Sequence, residues 1–262
     1  MIVPILILGL ALILAYIGSR KQLSRLQFLF VVLFFGAGAI GVAFLLPHER
    51  KFVRSDGFLA SGRQMLAHFR NGQLIATFAV GFGVLFNFIC TFTFVSFHLA
   101  GAPYFLSASW LGAIFVVYLT GSVLTPWTGW AVTRFGRRRF TVRIIAVWMA
   151  GMSMTLVPSL PVIILGLCIA AACGLMCQAV STSYVTITAK VGRSSAVGLY
   201  VTSFYLGGSF GAALGGIAWT LAAWTATVAL VEVMLIIMAG IVYFAWARRV
   251  SAPTVATPVE PP

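Results

Sequence analysis

One carboxylate lies inside a long apolar stretch of the sequence, and its position is the first that suggests chemistry. Glu232 falls within the apolar run 222–246. An ionisable side chain inside a segment long enough to cross a membrane is costly, and proteins that keep one commonly use it to relay protons. The alternative is an interfacial contact with another polar side chain. Glu232 is therefore our candidate for proton coupling.

Cysteine and histidine residues do not form a recognisable metal-binding pattern. All four cysteines lie in apolar segments, and Cys173 and Cys177 share a helix face without histidine or carboxylate company. They are expected to be packing residues, and His48, His68 and His98 are expected to be solvated. No nucleophile elbow, phosphate loop or metal-ligand spacing occurs. We therefore predict that the chain is not an enzyme and uses no cofactor and no metal.

Positive charge is concentrated in the stretch GWAVTRFGRRRF, residues 129–140. It contains four arginines, and Arg143 follows as a fifth. Long apolar runs flank it on both sides. Such a stretch is typical of a tight turn that joins two membrane helices and is held at one membrane surface by its charge. The simplest interpretation is that the arginines only fix the topology.

The composition places these residues in a membrane protein. Of the 262 residues, 61% are hydrophobic and only 8% are charged, and the mean hydropathy is +1.06. A soluble domain has about 25% charged residues. The formal net charge is +13, but the cations lie in short clusters between apolar segments, as the positive-inside rule requires. We therefore expect a lipid bilayer as partner and no nucleic acid.

The apolar segments predict about eight transmembrane helices, because they lack the alternation of barrel strands. The fold class is an all-α polytopic membrane protein. The predicted spans are 2–18, 26–47, 74–98, 108–131, 141–157, 161–186, 195–217 and 222–246.

Basic residues in alternate loops set the orientation. From residue 48 onward the loops alternate between basic and uncharged, which places the C-terminus in the cytoplasm. Arg20, Lys21 and Arg25 break this alternation. Either their loop is a tolerated exception, or helices that normally precede it are missing.

The arginine turn resembles a signature of the major facilitator superfamily (MFS), a cytoplasmic two-helix turn of the form G-x-x-x-D-R-x-G-R-R. The matching residues are Gly129, Arg134, Gly136, Arg137 and Arg138, whereas Thr133 stands at the acidic position. The resemblance implies an MFS-like helical bundle. It also implies that the turn is a conformational latch, whose arginines reach carbonyl groups at a helix C-terminus.

A glycine stripe agrees with this resemblance. Gly207, Gly211 and Gly215 recur every fourth residue, with Gly208 beside them, so two helices can pack at backbone distance. By analogy with the superfamily, several helices would line a central cavity, although each polar residue on them could instead serve interhelical packing. The candidate cavity residues are Phe86, Asn87, Thr91, Tyr118, Gln178, Ser181, Thr182 and Tyr205.

The resemblance also implies a domain organisation. Residues 1–47 would be the last two helices of an N-terminal half, and 48–73 a cytoplasmic interdomain loop with an amphipathic helix that carries Met65, Leu66 and Phe69. Residues 74–246 would be the C-terminal six-helix half, and 247–262 a disordered tail. Because superfamily members have twelve spans, we expect a fragment, a mis-started reading frame or one part of a split transporter.

The predicted function is secondary active transport, specifically proton-coupled efflux of a small hydrophobic molecule or metabolite by alternating access. The protein would lie in the bacterial inner membrane, and a separate chain would supply the missing helices. The alternative is a non-transporting helical bundle that associates with another subunit through the glycine stripe.

Overall fold

The computed structural model describes residue 62, residues 65–189 and residues 191–246. Within these ranges the long helices are, in chain order, α1 (Gly72–Ala100), α2 (Ala108–Phe135), α3 (Arg137–Met154), α4 (Leu160–Thr188) and α5 (Arg193–Ala245). Residues 65–68 are also helical. The predicted segments 1–47 and 247–262, and most of the predicted loop 48–73, lie outside the described residues.

Local sequence signals account for the helix ends. The Asn71 side chain caps α1 by accepting hydrogen bonds from the backbone N–H groups of Gln73 and Leu74 at 3.1 and 3.4 Å. Gly136 separates α2 from α3 at φ 80°, and Gly192 precedes α5 at φ 61°. Positive φ values of this kind are readily adopted only by glycine.

Helix α2 is irregular along its length. Two short 3₁₀ turns, Phe115–Val117 and Thr125–Trp127, interrupt it. The second contains Pro126 at its first turn, and proline removes a backbone donor from the helical ladder. The sequence predicted the span but not these interruptions.

Helix α5 is broken into two arms. Ala222 and Ala223 have non-helical backbone angles, so residues 193–221 form a first arm and 224–245 a second. The first arm runs parallel to α1, since Ser203 Oγ donates to the Phe78 carbonyl and Gly215 lies against Phe94.

The second arm runs in the opposite direction along α1. Its start stacks Trp224 on His98, with ring centroids 5.4 Å apart, and further along Met238 contacts Asn87. The two arms therefore form a hairpin, in agreement with the predicted separate segments 195–217 and 222–246.

Helix α1 packs against both arms of α5 and also against α4. Its core residues Val80, Val84, Phe86 and Cys90 are fully buried. Aromatic contacts extend this core towards α2 and α3, because Phe88 stacks on Tyr118 and packs against Trp148 at 5.5 and 5.7 Å between ring centroids.

The predicted all-α architecture is confirmed for the described residues, which contain no strand. Among them, α1, α2, α4 and α5 are long and apolar enough to cross a membrane. Because α5 has 53 residues and a central break, each arm has the length of a separate crossing. The number of spans and the cytoplasmic position of the C-terminus stay predictions.

Candidate functional site

The arginine turn is built by the end of α2, Gly136 and the start of α3. Gly136 adopts φ 80° and ψ 140°, so the chain reverses without a longer loop. Thr133, at the position where the MFS signature has an acid, donates its hydroxyl hydrogen to the Trp130 carbonyl of its own helix at 2.7 Å. Gly129 has open space around it, with no atom within 4 Å of a Cβ placed there.

Two arginines of this turn connect it to other helices. Arg137 Nη2 donates to Ser183 Oγ of α4 at 3.4 Å, and its guanidinium lies 5.2 Å from the ring centroid of Tyr184. Arg138 Nη1 donates to the Tyr243 carbonyl at 3.1 Å, and its guanidinium lies 4.9 Å from the ring centroid of the same tyrosine. The turn therefore contacts both the end of α4 and the end of α5.

The contact to Tyr243 is made at the C-terminus of a helix. Tyr243 lies in the last turn of α5, where backbone carbonyls lack helical partners and the helix dipole is negative. Burial lowers the pKa of the Arg137 guanidinium from its ordinary value, with the neighbouring Tyr184 acting in the opposite direction. An arginine nevertheless stays charged in a protein. Sequence reasoning did not identify Ser183, Tyr184 or Tyr243, because their positions depend on helix packing over long sequence separations.

A concave pocket of about 750 Å³ opens beside the turn. The residues that line it, which we call the arginine pocket, come from the α2–α3 turn and the end of α5. They are Arg134, Phe135, Gly136, Arg138, Arg139, Val142, Arg143 and Tyr243.

Four of the eight predicted cavity residues lie in the packed interior of the described helices. Phe86, Asn87, Thr91 and Ser181 are all at most 1% exposed. Asn87 Nδ2 donates to Met238 Sδ at 3.4 Å, and its Oδ1 is buried without a partner among the described residues. Thr91 Oγ1 donates to Met152 Sδ of α3 at 3.6 Å, whereas Ser181 Oγ donates to the Cys177 carbonyl of its own helix at 2.8 Å. In this arrangement Asn87 and Thr91 make contacts between helices, and Ser181 is buried against its own helix backbone.

The other four predicted cavity residues are more accessible. Tyr118, Gln178 and Thr182 are half-buried, and Tyr205 is 65% exposed. Tyr118 stacks on Phe88, and Thr182 donates to the Gln178 carbonyl of its own helix. The structure therefore places Gln178 and Thr182 together on α4, and Tyr205 separately on the first arm of α5.

The glycine stripe packs against α1 of the same chain. A Cβ added at Gly211 would come within 2.9 Å of the Phe86 Cα, and one at Gly207 within 2.7 Å of the Phe82 Cα. Gly208 and Gly215 face Leu85 and Phe94 of the same helix at similarly short range. The alternative function assumed that this stripe binds another subunit, but in this fold α1 already covers it.

Glu232 is half-buried on the second arm of α5 and is the only acidic residue in the described ranges. Ser153 Oγ donates to its Oε1 at 3.1 Å. Ser153 belongs to the end of α3 that lies farthest from the arginine turn. Among the described residues, the carboxylate therefore pairs with a hydroxyl and not with a cation.

The expectation that the histidines are solvated is wrong for two of them. His68 is only 7% exposed, and its Nε2 lies 3.2 Å from the Gly192 carbonyl, to which it can only donate. His98 is half-buried and stacked on Trp224. Both are held by contacts distant in sequence, whereas His48 lies outside the described residues. No group of histidines, cysteines or carboxylates in the described part of the chain could hold a metal ion.

Comparisons with known proteins give a consistent result. No protein-family model matches the chain. It is 29% identical over 194 residues to an uncharacterized transporter of Buchnera aphidicola, covering 74% of this chain and 47% of the relative. It is 28% identical over 193 residues to the uncharacterized MFS-type transporter YybF of Bacillus subtilis, covering 73% of this chain and 48% of the relative.

A third relative is the inner membrane transport protein YnfM of Escherichia coli. The identity is 32% over 170 residues, which cover 65% of this chain and 41% of the relative. Because these relatives are named as transporters, the prediction that the chain is not an enzyme is confirmed. The chain is a multi-pass membrane protein related to MFS-type transporters, and it spans less than half of the length of the relatives it matches.

Proposed function

We propose that this chain forms part of a secondary active transporter that works by alternating access, with residues 74–246 as one six-helix half. The observation that carries the proposal is its similarity to named transporters over 65–74% of its residues. Superfamily members consist of two such halves that rock against each other around a central site. By analogy with the Escherichia coli relative, the membrane would be the bacterial inner membrane.

The packing of α5 on α1 supports a half that moves as one body. Gly207 and Gly211 bring the two helix backbones into direct contact, and closely packed backbones resist independent movement. The Asn87–Met238 contact joins the second arm of α5 to the same helix. Motion between halves would then occur at surfaces outside this core.

A substrate cavity would be formed by the more accessible predicted residues, Gln178 and Thr182 on α4 and Tyr205 on the first arm of α5. An amide, a hydroxyl and an aromatic ring on otherwise apolar helices suit a small hydrophobic molecule with a few polar groups. Tyr118 would join this lining from α2. The buried residues Phe86, Asn87, Thr91 and Ser181 would support the lining helices from behind.

Proton coupling through Glu232 is the finer part of the proposal. A half-buried carboxylate hydrogen-bonded to Ser153 can gain and lose a proton without separating from a cation. In such efflux, the carboxylate would take up a proton when the site is open to the outside and release it when the site is open to the cytoplasm, while the substrate moves in the other direction. An interfacial structural role is the competing interpretation, and the Glu232→Gln variant distinguishes the two because glutamine keeps a hydrogen-bond acceptor for Ser153.

The test is a transport assay in proteoliposomes with an imposed pH gradient and a lipophilic cationic dye as probe. The chain would be reconstituted alone and together with the first four helices of the Escherichia coli relative. Gradient-driven dye movement that appears only in the combined sample, and that a protonophore abolishes, is the expected result. Stable association without dye movement would instead favour the non-transporting bundle.

The coupling role is tested in the same vesicles. Glu232→Gln should abolish gradient-driven dye movement while leaving downhill movement intact. Ser153→Ala is the complementary control, because it removes the Ser153–Glu232 hydrogen bond but keeps the titrating group, whereas Glu232→Gln keeps the bond and removes the titration. Unchanged gradient-driven movement in Glu232→Gln would rule out coupling through this carboxylate.

A further inference from the structure

We propose that the arginine pocket binds the phosphate group of an anionic phospholipid. The pocket presents the side chains of Arg134, Arg138, Arg139 and Arg143, and no acidic residue is among the described residues that line it. Arginine binds phosphate oxygens through paired N–H donors. Basic pockets between membrane helices are suited to anionic lipid headgroups.

The positive charge of this pocket is not neutralised by the described part of the protein. The only carboxylate in the described part of the protein is Glu232, which accepts a hydrogen bond from Ser153. Ser153 lies about 22 Å along α3 from Arg138, at about 1.5 Å per residue, so this carboxylate is distant from the pocket. Four guanidinium groups in one pocket repel each other. A bound anion would relieve this repulsion, which gives the pocket a physical reason to take one up.

The start of α3 adds to the positive potential. Gly136, Arg138 and Arg139 of the pocket lie at the N-terminus of this 18-residue helix, which has no side-chain cap and no acidic residue in its first turn. Backbone N–H groups at a helix N-terminus favour anions and disfavour cations. The helix N-terminus therefore disfavours these arginines, and an anion bound between them would offset that unfavourable interaction.

Two of the arginines are pre-oriented by aromatic rings. Arg143 lies 5.3 Å from the ring centroid of Phe135, and Arg138 lies 4.9 Å from that of Tyr243. Such stacking holds a guanidinium in place while its edge N–H groups stay available. Arg134 and Arg139 are exposed and make no hydrogen bond or ring contact with a described residue, so no contact within the described part of the chain has to break for their donors to reach a ligand.

The apolar residues around the pocket favour a lipid over a free phosphate ion. Phe135 and Val142 line the pocket itself. Beside it, Trp130 is 64% and Phe244 is 84% exposed, and exposed aromatic rings near helix ends are typical of the membrane interface. A phospholipid can place its phosphate on the arginines and its acyl chains along these rings, whereas a free phosphate uses only the arginines.

The experiment measures the thermal stability of the purified full-length chain in a neutral detergent. Dioctanoyl phosphatidylglycerol, dioctanoyl phosphatidylcholine and inorganic phosphate are titrated separately. We expect the transition temperature to rise with phosphatidylglycerol and to stay constant with the other two. A ligand that binds the folded state and not the unfolded state produces such a rise.

The test variant is Arg134→Gln/Arg139→Gln, because it removes two pocket charges without removing a described contact. It should raise the half-saturating phosphatidylglycerol concentration about 30-fold, as expected for two arginines near a lipid headgroup. Arg70→Gln/Arg193→Gln is the control, because it removes the same amount of charge outside the pocket. It should change the half-saturating phosphatidylglycerol concentration by less than about threefold. Val142→Trp, which fills the pocket without changing its charge, is a second test variant and should also weaken binding.

Three results would overturn the proposal. An equal loss of affinity in both double variants would show attraction to the general charge of the protein and not to the pocket. Equal stabilisation by inorganic phosphate, lost in the pocket variant, would show a free-anion site. Stabilisation by phosphatidylglycerol that Arg134→Gln/Arg139→Gln and Val142→Trp both leave unchanged would place the lipid elsewhere.

Discussion

A single tryptophan nitrogen joins the start of the second arm of α5 to the end of α3. Trp224 Nε1 donates to the Thr155 carbonyl at 3.1 Å, and the ring is also stacked on His98. Trp148 offers a natural comparison, since it is equally buried but its Nε1 has no partner among the described residues. Comparing the two residues therefore distinguishes the contribution of a buried hydrogen bond to the free energy of unfolding from the contribution of a buried ring.

We predict that Trp224→Phe lowers the free energy of unfolding by about 1 kcal/mol more than Trp148→Phe, because only Trp224 loses a made hydrogen bond. Both substitutions remove the same ring volume, so their cavity costs largely cancel. In a chain of this size the difference corresponds to about 2–4 °C in the transition temperature, measured by thermal unfolding in detergent. Equal shifts for the two variants would show that the Thr155 contact contributes nothing.

At the scale of the helices, the parallel packing of α1 and the first arm of α5 depends on glycines, which have no side chain to keep the two backbones apart. We predict that Gly211→Ala lowers the free energy of unfolding by about 1–3 kcal/mol, because the new methyl group would meet the Phe86 backbone, which cannot rotate away. Gly240→Ala is the matched control, since no atom lies within 4 Å of its Cβ position. It should raise stability by about 0.5–1 kcal/mol. Thermal unfolding of both variants checks this, and a neutral Gly211→Ala would refute the close approach.

The sequence predicted the positions of the described helices along the chain well, but it did not predict which side of each helix faces its neighbours. Apolar length and loop charge predicted segments such as 74–98 and 161–186, which lie within α1 and α4. Which side of each helix faces a neighbour was not predictable, because lipid-facing and protein-facing sides are both apolar and no amphipathic pattern distinguishes them. For this reason the sequence alone does not distinguish a cavity-lining role of Asn87 and Thr91 from the interhelical contacts that they make to methionine sulfurs in the structure.

The arginine turn shows the same limit at the candidate site. Its charge and its glycine at residue 136 were sufficient to predict a tight turn. Its contacts were not predictable, because the Tyr243 carbonyl is 105 residues away in sequence from Arg138. Pairings over such distances follow from the packed arrangement of the helices and carry no local signal.

On the scale of the whole molecule, the described positive charge lies at one end of the helices. Contacts from Arg137 to Ser183, from Arg138 to Tyr243 and from Tyr184 to Gln73 bring together the ends of α4 and α5 and the starts of α1 and α3. All the described arginines lie on these helix ends, within the first two turns of α3, or on the adjoining turns and helix ends. The loops at the opposite end, 101–107 and 155–159, carry none. The positive-inside rule then predicts that the arginine end faces the cytoplasm.

This orientation is testable through two exposed residues, one just before the start of the first arm of α5 and one at its end. Leu221 is 77% and Val191 is 68% exposed, and the helix between them is about 43 Å long, enough to cross a bilayer with its headgroups. In intact spheroplasts, a membrane-impermeant maleimide should label Leu221→Cys at once and Val191→Cys only after permeabilisation. The unsubstituted chain, whose four cysteines lie within helices, measures the background. Labelling of both variants from outside would mean that this arm does not cross the membrane. The reverse order would mean that the arginine end lies outside, against the charge rule.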